Sequence, residues 1–178
     1  ETTSTTPHEA ELVGISLAVD PSTAYYIPLG HTETQKNLDT EKVISILKEI
    51  IESETIEKTG QNLKYDYQVL KNYGCTLRGI TFDTMIAAYC IDPGKRQYAL
   101  DLLAMELLQI QTTSIESLIG KRGKNQRSFA EVSVDDAAHY SGEDVVVPLL
   151  LREKLEPELE QRNLKMLFTE IEIPLIPV

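Results

Sequence analysis

The chain has 178 residues, of which 42% are hydrophobic and 25% charged, the composition of one soluble globular domain large enough to bury a core. Its formal net charge of −11 argues against gripping long duplex DNA by the phosphates, a mode that usually needs a basic protein. No apolar run is long enough to span a bilayer and the polar N-terminus shows no secretory leader. The two cysteines, Cys75 and Cys90, lack zinc or disulfide-framework spacing, which fits a reducing compartment.

Glu1 to Glu11 reads as a polar loop. From Leu12 to Val19 the pattern alternates, Val13, Ile15, Leu17 and Val19 against Gly14, Ser16 and Ala18, which predicts a strand with a small-residue face. Asp20-Pro21-Ser22 makes a turn into a second strand over Ala24–Leu29, an antiparallel hairpin with Pro28 at an edge. Asp39 or Thr40 caps a helix whose stripe is Val43, Ile46, Leu47, Ile50 and Ile51. A short strand over 56–59 follows. Gly60 turns the backbone, Asn62 caps a helix carrying Leu63, Val69, Leu70 and Tyr73, and Gly74 stops it. Asp66 therefore sits about one turn inside a helix that leaves a strand end, where sites form in open α/β sheets. A lone Asp there reads first as a solvated surface carboxylate.

Cys75–Ile80 is a further short strand. Phe82-Asp83-Thr84 opens a helix to Ile91, broken by Asp92-Pro93-Gly94, and Leu100, Leu103, Ala104 and Leu107 mark another. Lys121, Arg122, Lys124 and Arg127, interleaved with Asn125 and Gln126, form the one basic island. It lacks phosphate-loop spacing, and such loops are most often simply solvated, but in so acidic a chain it is the natural place to meet a phosphate backbone. Ser133 to Asp136 reads as a capping box opening a helix on which Tyr140 and Asp144 share a face. Pro148 cannot donate to the carbonyl of Asp144 and crowds it, which predicts a kink or break there. Helix resumes over Leu149–Leu159, and a last helix covers Leu164–Ile173.

Glu1, Asp66 and Asp144, with Tyr140 beside the last, each lie at the edge of an element. Carboxylates so disposed suit phosphodiester hydrolysis by two metal ions, one activating water and the other stabilising the leaving oxygen. Spacing alone does not establish this, since an acidic chain offers many such triplets.

Gly60-Gln61-Asn62-Leu63-Lys64-Tyr65-Asp66, Phe82-Asp83-Thr84-Met85, Gly123-Lys124-Asn125-Gln126 and Tyr140-Ser141-Gly142-Glu143-Asp144 resemble, in order, the 3′–5′ exonuclease (proofreading) domain of bacterial DNA polymerase I. Leu12-Val13-Gly14 and the closing Ile173-Pro174-Leu175-Ile176-Pro177-Val178 resemble it too, so the likeness spans residues 1–178. It implies a ribonuclease H-like α/β fold: a mixed sheet flanked by helices, with a three-strand antiparallel start.

By the same resemblance, Glu1 is the second half of an Asp-x-Glu motif whose Asp and strand lie outside this sequence. The chain thus reads as a fragment of a longer DNA polymerase, weakly active by itself. Glu1 and Asp144 would hold one divalent ion and Asp66 a second, with Mg²⁺ foremost and Mn²⁺ or Zn²⁺ as alternatives. Tyr140 and Glu1 would orient the attacking water. Leu12, Gln61, Asn62 and Tyr65 would lie near a DNA 3′ end, single-stranded or frayed. The rival water-orienting residue is His139, whose rotation away from Asp144 on the helix disfavours it. The resemblance further implies a monomer in the bacterial cytoplasm, without a membrane, partnered by a polymerase domain of its own chain. A catalytically silent, structural version of the domain is the other reading.

Overall fold

A computed structural model describes residues 1–32 and 34–178. The alternating segment near the start forms strand β1, Gly14–Asp20, which pairs antiparallel with β2, Thr23–Pro28, with Gly14 opposite Pro28 and Leu17 opposite Tyr25. The small-residue face has a steric reason. A Cβ on Gly14 would fall 2.2 Å from the Tyr26 hydroxyl oxygen, so only glycine fits under that ring. The apolar face is core only at its start: Val13 is buried and Ile15 packs against the core, whereas Leu17 is exposed and Val19 is 87% exposed.

Helix α1, Thr40–Ile51, starts where expected, with the Asp39 side chain accepting from the amide of Lys42 at 2.8 Å. Its buried face is Val43, Ile44 and Ile51 rather than the full predicted stripe, and Ile46 and Ile50 are exposed. Strand β3, Lys58–Gly60, lies parallel to β4, Ile80–Asp83, with Gly60 opposite Asp83. The strand expected at Cys75–Ile80 thus begins only at its last residue. Gly79 precedes it at φ +67°, where a Cβ would meet the carbonyls of Ile56 and Ser53 at 2.6 and 2.7 Å, so the chain turns before it pairs. The strands form two separate two-stranded sheets, one antiparallel and one parallel. Of the implied three-strand antiparallel start, the described residues show the hairpin and one antiparallel bridge, Thr2 with Leu12.

Between those strands runs α2, Leu63–Asn72; α3, Thr84–Ile91, follows β4. Helix α4, Leu100–Leu103, continues into a wider π turn over Ala104–Leu108, and α5 spans Ile115–Ile119. The long helix α6, Val134–Gln161, is capped by Ser133, whose hydroxyl oxygen accepts from the Asp136 amide at 3.1 Å. Of the kink or break expected at Pro148, the break does not occur: the helix passes through both Pro148 and Pro157. The hydrogen bond lost at each proline is outweighed because Val147, Pro148, Leu151, Leu155 and Leu159 bury a continuous face. The single last helix expected over Leu164–Ile173 is instead α7, Lys165–Leu167, then a π turn over Phe168–Glu172 and a 3₁₀ turn over Ile173–Leu175.

The main core gathers Phe82, Leu103, Leu151, Leu155, Leu159 and Phe168, with the two phenyl centroids 5.0 Å apart. A smaller cluster of Val13, Phe129, Ala130, Val132 and Ala137 sits under the hairpin. Beside it the buried His31 bridges Tyr26 (2.7 Å to the hydroxyl) and the carbonyl of Val132 (2.8 Å). Arg152 on α6 ties both parallel strands to the helix: it donates to Thr59 Oγ1 at 2.9 Å, reaches Glu57 at 3.2 Å and lies over the Phe82 ring. We expect Arg152→Ala to destabilise the chain by about 1–2 kcal/mol in urea unfolding, and Arg152→Lys by about half as much, because lysine keeps a charge but not the planar fork.

Candidate active site

A cleft of about 860 Å³ opens between the β1 and β3 edges, with α2 on one side and α6 and the α4–α5 connection on the other. Its lining includes Glu1, Asp66, Tyr140 and Asp144, side chains from three distant parts of the sequence. Glu1 is tied to β1 through its amino group, which donates to the Gly14 carbonyl at 2.7 Å, and through its own carbonyl, which accepts from Val13 at 2.9 Å. Its carboxylate accepts from the Ser141 hydroxyl at 3.1 Å. Tyr140 and Asp144 stand one turn apart on α6 and point to the same side.

Asp66 owes its place to a residue whose role sequence reading found only in part. Asn62, the expected cap of α2, adopts a left-handed conformation (φ 57°) and its side chain caps nothing. The buried Asp83 does that work from the end of β4. One carboxylate oxygen accepts from Leu63 at the start of α2 at 2.7 Å, and the other accepts from Met85 and Ile86 at the start of α3 at 2.9 and 3.2 Å. A single carboxylate thereby caps two helices. The local sequence showed its capping of α3; its capping of α2 is a contact across 20 residues.

The cleft raises the proton affinity of its acids. Asp144 is pushed up to about 7, first by burial and then by the Glu1 carboxylate, against the pull of the Tyr140 hydroxyl. Asp66 is also raised to about 7, chiefly by its enclosing walls, and Glu1 and Asp83 add to it. It still presents an open face to solvent, so cleft water screens it more than Asp144. Tyr140 is held far above the ordinary phenol range by burial and by Asp144, so it stays protonated. Asp101 and Glu116 add two more acids to the lining, and its one basic side chain among the described residues, Lys58, donates to the Ser53 carbonyl at 2.6 Å.

Clustered, mutually repelling carboxylate oxygens are the donor set of a hard divalent cation. Among the described residues, however, no three His, Cys, Asp or Glu side chains already stand as one ligand group. The acids fit such an ion in kind, with the final approach left to it.

A pH and metal dependence of stability follows. Both folded-state values lie above the ordinary 3.8, so the folded chain binds these protons more tightly than the unfolded one. The stabilisation is complete below about pH 4 and lost as pH rises through about 7. At 1.36 kcal/mol per unit, and discounted for cleft water, we expect the pair to make the metal-free protein about 2 kcal/mol less stable at pH 8.5 than at pH 5. Mg²⁺ should restore part of that at pH 8.5 and little at pH 5, which urea unfolding at both pH values would read.

The residues expected near a DNA end distribute unevenly. Leu12 and Gln61 line the cleft, although the Gln61 amide is engaged, donating to the Tyr98 carbonyl at 2.7 Å and accepting from Thr84. Asn62 is exposed and outside the lining. Tyr65 is outside it too, its hydroxyl bonded to Thr2 and Ser4. Lys121, Arg122, Lys124, Asn125 and Arg127 are all exposed and none lines the cleft; the Arg127 guanidinium donates back to the Leu118 carbonyl at 2.6 Å. His139 is exposed and faces Glu143 at 3.6 Å, outside the lining. Glu143 accepts from the Thr113 amide at 2.7 Å, pinning the α4–α5 connection to α6 on the same side of the cleft.

Known proteins share this architecture. The described chain superposes on the POL domain of Pol1 from M. smegmatis, in complex with DNA primer-template and dNTP, with a TM-score of 0.72 at 22% identity, covering 94% of this chain and 24% of that one. It superposes on Brucella melitensis NrnC with a TM-score of 0.74 at 20% identity, covering 99% and 78%. The fold is mixed α/β and ribonuclease H-like. In sequence, the chain is 37% identical to DNA polymerase I of Pseudomonas aeruginosa and 42% identical to that of Chloroflexus aurantiacus, over its whole length in each case and about a fifth of theirs (20% and 19%). The family model described as 3′–5′ exonuclease matches residues 1–160, and the chain belongs to that family.

Proposed function

We propose that this chain is the proofreading part of a longer bacterial DNA polymerase, acting in the cytoplasm as a monomer. It removes nucleotides one at a time from a DNA 3′ end and releases nucleoside 5′-monophosphates. The supporting observation is a single acidic cleft shared by Glu1, Asp66, Tyr140 and Asp144. In this reading Glu1, Asp66 and Asp144 hold divalent ions, two of them, with Mg²⁺ foremost. Bound there, the ions would activate water and stabilise the leaving oxygen.

The chain's own residues do the rest. Tyr140, kept protonated, can donate a hydrogen bond to the attacking water or to a phosphate oxygen, and cannot act as its base near pH 7. Leu12, Ile15 and Leu100 offer an apolar wall against which a terminal base can pack. Asn62 and the exposed Lys121, Arg122, Lys124, Asn125 and Arg127 would guide the strand outside the cleft; the acidic cleft itself repels phosphate until a cation is bound.

One observation favours the silent, structural reading: no three-carboxylate group is preassembled among the described residues. Both readings are tested with 5′-labelled single-stranded DNA, in a chain extended to the length of its polymerase I relatives. The exonuclease reading expects a ladder of single-nucleotide steps with Mg²⁺ or Mn²⁺, abolished by chelator. A folded protein that leaves the label at full length would establish the silent domain.

A further inference from the structure

Ser141 lies between Tyr140 and Asp144 on α6, yet neither lines the cleft nor meets solvent: it is fully buried. A buried mid-helix serine usually turns its hydroxyl back to the carbonyl one turn earlier. This one donates instead to Oε1 of Glu1, across 140 residues of sequence. Among the described residues it is the single hydrogen-bond partner of that carboxylate, whereas the Glu1 backbone is fixed independently by Val13 and Gly14. We propose that Ser141 is the positioning residue of the site: it sets the direction of the Glu1 carboxylate and keeps it in register with Asp144, leaving Oε2 free for a divalent cation. The proposal rests on the exonuclease reading of the cleft.

Such a tether preorganises the site. Glu1 is a long side chain beside carboxylates that repel it, as its upward push on Asp66 and Asp144 shows. Without a tether it would swing away from them, and drawing it back would weaken cation binding. A neutral hydroxyl holds it without adding a charge that would compete with the cation. Partners of this kind, one bond removed from an ion, typically change affinity or activity by about 10–100-fold.

The test compares wild type, Ser141→Ala and Ser141→Thr in the full-length protein. Mn²⁺ binding is followed by electron paramagnetic resonance without DNA, counting the sites that Asp144→Ala removes. Ser141→Ala should weaken those sites about tenfold and lower kcat similarly, with KM for DNA and the melting temperature unchanged; Ser141→Thr, which keeps the hydroxyl, should retain most of both. Equal Mn²⁺ affinity in wild type and Ser141→Ala would overturn the role of Ser141 and leave the exonuclease reading standing. Should Asp144→Ala remove no Mn²⁺ site from the wild type, that reading falls and the role of Ser141 with it. A lower melting temperature in Ser141→Ala with Mn²⁺ affinity intact would likewise reduce the serine to a packing residue.

Discussion

Asp144→Ala is expected to cut 3′-end digestion by about 10³-fold or more while the protein remains folded. In the proposed exonuclease reading this carboxylate holds the cation at the reacting end of the substrate, and electrostatic groups at a reaction centre are typically worth about 10²–10³ each, with a metal's contribution added. The change should not unfold the chain, because among the described residues the Asp144 carboxylate ties no other element to α6 and its burial already disfavours its charge. Removing it should slightly stabilise the metal-free protein above pH 7. Asp144→Asn should be nearly as inactive, since the amide keeps the shape but offers one neutral oxygen. Asp66→Ala should follow the same pattern. Tyr140→Phe, which loses one hydrogen bond and no ligand, should lose only about tenfold to a hundredfold. A circular dichroism melt beside each assay separates lost chemistry from lost fold; full digestion by Asp144→Ala would remove it from the site.

Asp83→Ala is expected to be the most destabilising single change, by about 3–4 kcal/mol. It strips the caps from α2 and α3 together and leaves three amides, those of Leu63, Met85 and Ile86, facing a buried gap. Each lost cap is worth about 1 kcal/mol, and buried amides left unpaired add about 1–3 more. Asp83→Asn should lose about half as much, because its one amide oxygen can keep one helix capped. Activity should fall with Asp83→Ala even below its unfolding temperature, since Asp66 rides on the first turn of α2. Urea unfolding measures the first effect. A digestion rate at low temperature, where the variant is still folded, measures the second. Wild-type stability in Asp83→Ala would show that the two helices start without this carboxylate.

Local patterns carried much of the fold. The hairpin of β1 and β2, the Asp39 cap, the start of α3 at Asp83 and the Ser133 cap all follow from side chains within a few residues of the element they shape. What misled was information held elsewhere in the chain. Asn62 has the chemistry of a cap, but Asp83, arriving on a neighbouring strand, takes the amide first. Pro148 has the chemistry of a break, but the buried face from Val147 to Leu159 holds α6 together. Ile46 and Ile50 complete a helical stripe by spacing, yet the core reaches only the Val43, Ile44 and Ile51 side of α1.

The site shows the same division. Asp66, Tyr140 and Asp144 stand in compact motif blocks and Glu1 in part of one, and all four line one cleft. Ser141 sits inside such a block, but nothing in its neighbours tells that its hydroxyl turns to Glu1. Asp101 and Glu116 carry no local signature at all; only the path of the α4–α5 connection brings them to the cleft.

The central claim, that this acidic cleft receives a DNA 3′ end together with divalent cation, is tested most directly by a crystal structure. The protein would carry Tyr140→Phe, to slow turnover, and be soaked with Mn²⁺ and a short single-stranded oligonucleotide. The account predicts Mn²⁺ anomalous density between Glu1 and Asp144 and the terminal phosphodiester beside it. Mn²⁺ absent from those carboxylates while the oligonucleotide lies only along the Lys121–Arg127 loop would contradict it.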